Sequence, residues 1–187
     1  QPKWVARAEW NMPANTGGTQ NASFAFGDLD SDGDMDALEG SRGEGIMARY
    51  KNIGDNNHPV WSSLGNIFTG LGNFTSTSLV DIDGDGDLDL FIVTQPGVGV
   101  GYENIGTPYS ASWIKNDNFR LPDLSGAGTQ DEANVSFADL DGDGDFDFVY
   151  GSNNYSRVFM NVGNTASSSW TRAPSVEVGV SGRVALG

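Results

Sequence analysis

Short apolar runs alternate with polar turns along the whole chain. One run is residues 23–26, and others are residues 90–94 and 98–102. Runs of about four to six residues rich in Val, Ile, Phe, Tyr and Thr, bounded by Gly, Asn, Asp and Pro, are typical of antiparallel strands joined by tight turns. No long segment keeps the helical period of about 3.6 residues. The pattern therefore predicts an all-β chain.

The apolar pattern is organised around a sequence that occurs three times. D-L-D-S-D-G-D-M-D at residues 28–36 returns as D-I-D-G-D-G-D-L-D at 81–89 and as D-L-D-G-D-G-D-F-D at 139–147. An aromatic-x-Asn-[Ile/Val]-Gly signature follows each copy, with its Asn at 52, 104 and 161, and a Trp lies nine residues beyond each Asn. These tryptophans are Trp61, Trp113 and Trp170, and Trp10 belongs to the same series. The chain is therefore a repeat protein.

Counting from Trp to Trp divides a single domain, residues 1–187, into repeats. The repeats are residues 10–60, 61–112 and 113–169, with a partial fourth repeat at 170–187. Four strands fit each repeat: one entering the Asp-rich loop, one leaving it, one ending at the Asn signature and one at the Trp. That is the size and strand number of a β-propeller blade. We expect four-stranded antiparallel blades of propeller type, about three of them, with further strands at the ends.

Each Asp-rich loop has the composition of a cation site. If its first Asp is position 1, acids occupy positions 1, 3, 5, 7 and 9, and a Gly that allows a sharp turn occupies position 6. Oxygen donors without His or Cys favour Ca²⁺. The expected side-chain ligands are Asp28, Asp30, Asp32, Asp36, Asp81, Asp83, Asp85, Asp89, Asp139, Asp141, Asp143 and Asp147. Asp34, Asp87 and Asp145 are expected to bind through their carbonyls, and Met35, Leu88 and Phe146 at position 8 are expected to point inward.

Charge supports three bound ions and excludes two kinds of partner. The chain has 25 acidic and 10 basic residues, for a net charge of −15, and fifteen of the acids lie in the three loops. Without a cation their repulsion would oppose the compact state. The same charge disfavours nucleic acid and anionic membrane surfaces. Because cysteine is absent, metal ions rather than disulfides are expected to supplement the core.

Three calcium motifs share the opening D-x-D-x-D-G. An EF-hand needs an acid at position 12 between helices, and only Glu39 supplies one, because Ile92 and Tyr150 occupy that place in the other loops. Thrombospondin-type repeats are stapled by cysteines, which this chain lacks. The D-x-D-G-D-G-D-x-D form between strands resembles the FG-GAP/VCBS repeat family, related to the calcium-bearing blades of integrin α subunits and of some propeller lectins. The resemblance covers nearly the whole chain and implies a β-propeller in which each ion staples a hairpin.

The blade number differs from that of whole propellers in this family. Such propellers close with about seven blades, whereas three complete loops are present here. Open edges expose unpaired backbone groups. We therefore expect either a part of a longer repeat array or copies that associate by strand complementation.

The other candidate residues are expected to have structural rather than functional roles. His58, the single histidine, precedes Pro59 and is expected to be a solvated turn residue. The Trp series is expected to pack on outer strands rather than to stack on sugars.

No nucleophile or acid–base constellation is present outside the Asp loops, so we expect no enzyme. No apolar stretch approaches the roughly 20 residues that span a bilayer, and membrane insertion is not expected. Sequons begin at Asn21, Asn73, Asn134 and Asn154, a frequent chance match.

The sequence thus predicts a secreted or cell-surface, calcium-stabilised structural or adhesive repeat module. Its expected partners are other copies of itself, other repeats of a longer chain, a glycan or a cell-surface protein. One alternative is a carbohydrate-binding propeller lectin, since Tyr109 and Tyr155 are aromatic residues outside the repeat pattern. Another is a non-catalytic appendage of a secreted polysaccharide-active enzyme.

Overall fold

The described part of the chain forms three antiparallel β-sheets. The computed structural model describes residues 7–8, 11–13, 22–41, 45–95, 97–107, 109–124, 134–152, 155–164 and 167–173. Trp10, the sequons at Asn21 and Asn154, and residues 174–187 of the partial fourth repeat lie outside these residues. The predicted all-β class is confirmed, and the predicted four-stranded antiparallel units are present as three sheets. The fourth strand of each sheet begins at the Trp that opens the next Trp-to-Trp repeat.

Each sheet is a meander in which strands adjacent in the chain are hydrogen-bonded neighbours. The first sheet contains β1 (Ser23–Gly27), β2 (Asp36–Gly40), β3 (Met47–Asn52) and β4 (Trp61–Phe68). The second contains β5 (Phe74–Val80), β6 (Asp89–Thr94), β7 (Val98–Asn104) and β8 (Trp113–Lys115). The third contains β9 (Asn134–Ala138), β10 (Asp147–Ser152), β11 (Tyr155–Asn161) and β12 (Trp170–Arg172). A short 3₁₀ helix, Asp117–Phe119, follows β8.

The Asp-rich loops connect the first and second strands of each sheet. The last residue of the first strand pairs with the position-9 Asp in all three sheets: Gly27 with Asp36, Val80 with Asp89, and Ala138 with Asp147. Positions 1 to 8 therefore form the hairpin loop, and position 9 begins the next strand. The three loops thus have the same relation to their sheets.

Most of the core of the described residues lies between consecutive sheets, and a smaller cluster of Ala37, Ala48 and Tyr50 lies on the first sheet. Strand β2 is buried along its whole length and β6 along all but its last residue, because these inner strands are covered on both faces. One apolar cluster joins the first two sheets and contains Leu29, Leu38, Met47, Leu90 and Ile92. A larger one joins the second and third sheets and contains Val80, Ile82, Phe91, Val93, Phe119, Leu121, Leu124, Val135, Phe148, Tyr150 and Phe159. Strand β1 also contacts β5, and β5 contacts β9.

A buried arginine adds a polar link between the first two sheets. The guanidinium of Arg49 donates to the carbonyl of Leu29 in the first Asp loop and to that of Ala111 in the second sheet, both at 3.3 Å. It also lies 6.0 Å from the ring centroid of Trp113. Because the side chain is buried, these contacts replace part of the water that its charge would otherwise require, while its Nε has no hydrogen-bond partner.

The tryptophans begin the fourth strand of each sheet and are half-buried. Trp170 packs edge-on against Phe148 at 4.8 Å between ring centroids, and Trp61 lies 6.2 Å from Phe26. The indole N–H of Trp113 donates to the carbonyl of Leu88 at 2.9 Å. These side chains therefore pack within the sheets, as expected for outer-strand residues.

The expectation that position 8 points inward is correct for two loops and wrong for the first. Leu88 and Phe146 are half-buried against the two apolar clusters, but Met35 is 53% exposed. Leu88 fills the space that a Cβ on Gly27, in the preceding sheet, would occupy. Among the described residues no sheet precedes the first one, so Met35 has no equivalent surface on which to pack.

The glycine of the Asn signature is required sterically, and this can be tested by substitution. In Gly106→Ala the new Cβ would overlap the carbonyl oxygen of Ser110 and lie 2.7 Å from the amide nitrogen of Ser112. We expect a loss of about 3 kcal/mol in the free energy of unfolding, measured by urea denaturation. Gly86→Ala meets no atom within 4 Å and changes only a residue at φ 97°, so a smaller loss of about 1–2 kcal/mol is expected. Equal losses in the two variants would contradict this steric account.

Candidate metal centre

Two left-handed residues curve each Asp loop. Position 6 is Gly in all three loops, with φ of 91° at Gly33, 97° at Gly86 and 95° at Gly144. Position 4 is also left-handed, and in the first loop it is Ser31, with φ of 58°. Such angles cost little for glycine and more for residues with a Cβ. The curvature turns alternate side chains toward the inside of the loop.

The curvature brings three acids of each loop together. In each group, side-chain oxygens of all three acids lie within 4.8 Å of one another. The groups are Asp28, Asp30 and Asp32; Asp81, Asp83 and Asp85; and Asp139, Asp141 and Asp147. Positions 1 and 3 are therefore present in every group, joined by position 5 in the first two loops and by position 9 in the third.

The position-1 carboxylate holds the loop backbone in place. Both oxygens of Asp81 accept backbone N–H groups, from Gly84 at 2.8 Å and from Gly86 at 3.1 Å. Asp139 repeats both contacts with Gly142 and Gly144. Asp28 repeats the contact with position 6, Gly33, but its other oxygen accepts the N–H of Asp32 at position 5. Since a carboxylate oxygen has two lone pairs, these bonds leave capacity for a cation.

The position-9 carboxylate has a structural role that sequence reasoning did not predict. Asp36, Asp89 and Asp147 are almost fully buried. Each accepts the backbone N–H of the signature Asn, at 2.8, 2.8 and 2.7 Å respectively. Asp89 also accepts the N–H of Ile82 with its other oxygen, at 3.1 Å. Position 9 was assigned as a calcium ligand, but only Asp147 joins the acid groups of the described loops.

The signature Asn extends this network into the fourth strand. The side-chain oxygen of Asn104 accepts the N–H groups of Gly106 at 3.1 Å and of Ser112 at 2.9 Å. Asn52 and Asn161 make the same pair of bonds in their sheets. The constant distance from Asn to Trp was the sequence signal for this turn, although it did not identify the hydrogen bonds.

Unpartnered buried oxygens indicate that a cation fits the first and second loops. Among the described residues, the Oδ1 atoms of Asp30, Asp34 and Asp87 are buried and have no hydrogen-bond partner. Asp30 and Asp34 are only 8% and 9% exposed. Leaving a buried carboxylate oxygen unpaired is costly, and a cation would satisfy it. An all-carboxylate donor set is typical of hard cations such as Ca²⁺.

The pKa values reflect burial and mutual repulsion of these acids. Burial, followed by the charges of Asp85 and Asp83, raises the pKa of Asp87 to about 6. Burial also raises the pKa of Asp89 to about 7, against the opposing effect of its backbone hydrogen bonds. Burial is also the main cause that raises the pKa values of Asp34 and Asp83. A bound cation would reverse these shifts by favouring the ionised form.

The first loop differs from the others in containing an internal cation. The ammonium of Lys51 forms an ion pair with Asp30 and lies 3.2 Å from Oδ2 of Asp32. The backbone N–H of Asp34 and the ammonium of Lys51 lower the pKa of Asp32. In this loop, therefore, part of the acid charge is already compensated.

Glu39 and His58, two candidate residues from the sequence, lie outside the metal groups of the described loops. Glu39 is in β2, where its carboxylate accepts the hydroxyl of Tyr50 at 2.9 Å. Burial and this contact raise the pKa of Tyr50 to about 12. His58 is exposed in a turn, 3.4 Å from a carboxylate oxygen of Asp55.

A comparison with protein-family models and with curated proteins finds no match to this chain. Within the described residues there is no helix with the length and apolar character needed to cross a membrane.

The raised pKa of Asp89 predicts how the calcium-free protein responds to pH. The folded state keeps this proton up to about pH 7, whereas the unfolded chain releases it near 3.8. The contribution of Asp89 to the free energy of unfolding is therefore greatest below pH 4 and is lost as pH rises toward 7. Thermal unfolding in EDTA should show a falling melting temperature over this interval.

Two variants test the source of that slope. Asp89→Asn should reduce the slope, because this carboxyl no longer titrates, while Asp87, whose pKa is raised to about 6, retains part of it. Asp117→Asn should leave it unchanged, since Asp117 is exposed and the adjacent Lys115 lowers its pKa. A melting temperature that rises between pH 4 and 7 in EDTA would contradict the assignment.

The Asn network predicts a large effect of a small substitution. Asn104→Ala leaves the N–H groups of Gly106 and Ser112 without their acceptor, and Asn104 itself is buried. We expect a loss of about 2–4 kcal/mol in urea unfolding. Asn116→Ala is the matched control, because Asn116 caps only the short 3₁₀ helix and contacts Glu103. A loss below 1 kcal/mol in Asn104→Ala, or equal losses in the two variants, would argue against the network.

Proposed function

We propose that the three Asp loops each bind one Ca²⁺ and that the ions stabilise the first hairpin of each sheet. The observation that carries the proposal for the first two loops is the set of buried, unpartnered carboxylate oxygens at Asp30, Asp34 and Asp87. The third loop is included because its acids form a close group of the same kind. Positions 1, 3 and 5 would hold the ion through their side chains. Position 7 would contribute its carbonyl or its buried carboxylate oxygen. Bound Ca²⁺ would supply the positive charge that offsets repulsion within each loop.

The role that fits such loops is structural rather than catalytic. In the second loop, Asp81 at position 1 accepts N–H groups of the loop itself. Asp89 at position 9 accepts the N–H of Asn104 in β7, and the side chain of Asn104 accepts the N–H of Ser112 just before β8. Ordering the loop therefore orders the sheet. We infer an extracellular, calcium-stabilised structural or adhesive module and no enzymatic activity. Millimolar extracellular Ca²⁺ would suit dissociation constants of roughly 10⁻⁴ to 10⁻³ M.

We further propose that the three sheets are consecutive blades of a propeller of the FG-GAP/VCBS type. Contact of β1 with β5 and of β5 with β9 supports this arrangement, as does an apolar core between each pair of sheets. The exposed Met35 supports a further blade against the first sheet. That blade would come from another repeat of a longer chain or from a second copy.

A carbohydrate-binding function is the second candidate. A groove of about 520 Å³ runs along β1, β5 and β9 and is lined in part by Phe24, Phe26 and Phe137. Tyr109 is also 77% exposed. Aromatic faces of this kind stack on sugar rings. A non-catalytic appendage of a secreted polysaccharide-active enzyme would use the same surface, and binding to a glycan array would favour either role over adhesion by self-association.

Calcium dependence of stability is the decisive test. At a free Ca²⁺ concentration of about a hundred times the dissociation constant, each site adds about 2.7 kcal/mol. Calcium should therefore raise the melting temperature well above that measured in EDTA. In the second loop, Asp81→Asn and Asp83→Asn should each reduce the increase, whereas the exposed Asp117→Asn should not. If Ca²⁺ leaves the melting temperature of the wild-type protein unchanged, the loops are solvated acidic turns and the proposal is wrong.

A further inference from the structure

The three hairpins differ at the residue that precedes the signature Asn, here called the pre-Asn position. This residue is Lys51 in the first sheet, Glu103 in the second and Met160 in the third. The strand register is the same in all three sheets, with Ala37 opposite Tyr50 and the equivalent pairs in the others. The pre-Asn position therefore lies next to the position-9 Asp in every case.

In the first loop, the pre-Asn side chain contacts the carboxylates that would bind the ion. The ammonium of Lys51 pairs with Asp30 and lies 3.2 Å from Asp32, two of the three acids in the first metal group. The Lys51 side chain is 32% exposed, so it can move away into solvent. A divalent ion at these oxygens must displace this ammonium.

In the second loop, the pre-Asn residue has the opposite charge. Asn116 holds the Glu103 carboxylate through a hydrogen bond of 2.9 Å from its amide to Oε2. Because Leu90 pairs with Tyr102, Glu103 lies opposite Asp89, the position-9 acid of this loop. In the third loop, the half-buried Met160 has no charge.

We propose that the pre-Asn residue sets the order in which the loops take up Ca²⁺: the second loop first, the third next and the first last. This inference rests on the proposed calcium binding. Each loop contains five Asp, so the local charge is about −4 with Lys51, −5 with Met160 and −6 with Glu103. Calcium affinity increases with the negative charge around a site.

Lys51 has a second consequence for the calcium-free protein. Because its ammonium compensates Asp30 and Asp32, the first loop keeps a counterion when Ca²⁺ is absent. The second loop has none at the pre-Asn position and carries the extra charge of Glu103. The first hairpin should therefore stay ordered at low Ca²⁺ while the second and third loops open. Filling of the loops would then be stepwise rather than simultaneous.

Site-by-site calcium titration of the full chain tests this order. The backbone amides of Gly33, Gly86 and Gly144, at position 6 of each loop, report the three sites separately by NMR, and calorimetry gives the affinities. We expect Lys51→Met to raise the Ca²⁺ affinity of the first loop about 5- to 30-fold, because a divalent ion is repelled by the Lys51 charge twice as strongly as a monovalent ion. Glu103→Met should lower the Ca²⁺ affinity of the second loop by a similar factor.

Controls separate the local effect from net charge and from folding. Lys115→Met makes the same charge change as Lys51→Met, but Lys115 pairs with Asp117 at 2.7 Å and not with a loop acid. It should leave all three affinities within about twofold of wild type. Lys51→Arg keeps the cation and should keep the weak first site. In EDTA, Lys51→Met should also lose hydrogen-exchange protection at the first loop before Lys51→Arg does.

The outcomes distinguish this inference from the proposal on which it rests. If none of the loops binds Ca²⁺ in any variant, the proposed function is wrong. If all three loops bind but Lys51→Met leaves the first site unchanged, or the wild-type order differs, the graded affinity is wrong and the calcium sites remain.

Discussion

A buried carboxylate at the start of the second strand connects the parts of each sheet. In the second sheet, Asp89 accepts the N–H of Asn104, and the side chain of Asn104 accepts two N–H groups of the turn that leads to β8. The first and third sheets repeat these contacts. Since Asp89 also accepts an N–H from its own loop, loop and sheet are stabilised together. A perturbation of the loop is therefore expected to reach the fourth strand.

The same arrangement places several acids close together at the end of a hairpin. Burial raises the pKa values of Asp87 and Asp89, which shows that the ionised forms are unfavourable without a counterion. The three loops respond differently, because Lys51 pairs with acids of the first loop whereas Glu103 adds to the charge of the second. Loops that share one sequence pattern are thus electrostatically distinct.

Packing between sheets explains which side chains of the repeat are covered. Leu88 lies against Gly27 of the preceding sheet, and Arg49 of the first sheet donates to Ala111 of the second. Met35 is equivalent to Leu88 in sequence, yet it is exposed because no described sheet lies before it. Burial in this protein therefore depends on a residue's place in the series of sheets as well as on its place in the repeat.

The sequence alone determined the strands and their grouping, because these depend on local patterns. Alternating apolar runs, glycine-rich turns and the repeat D-x-D-x-D-G-D-x-D were enough to predict four-stranded antiparallel units with one acidic hairpin each. The tertiary structure decided what pattern cannot show. Pairing across strands turned Asp89 toward Asn104, and the pairing of β3 with β2 brought Lys51 to Asp30 in the loop before β2. The exposure of Met35 was likewise decided between sheets, since a hydrophobic residue is buried only where another surface meets it.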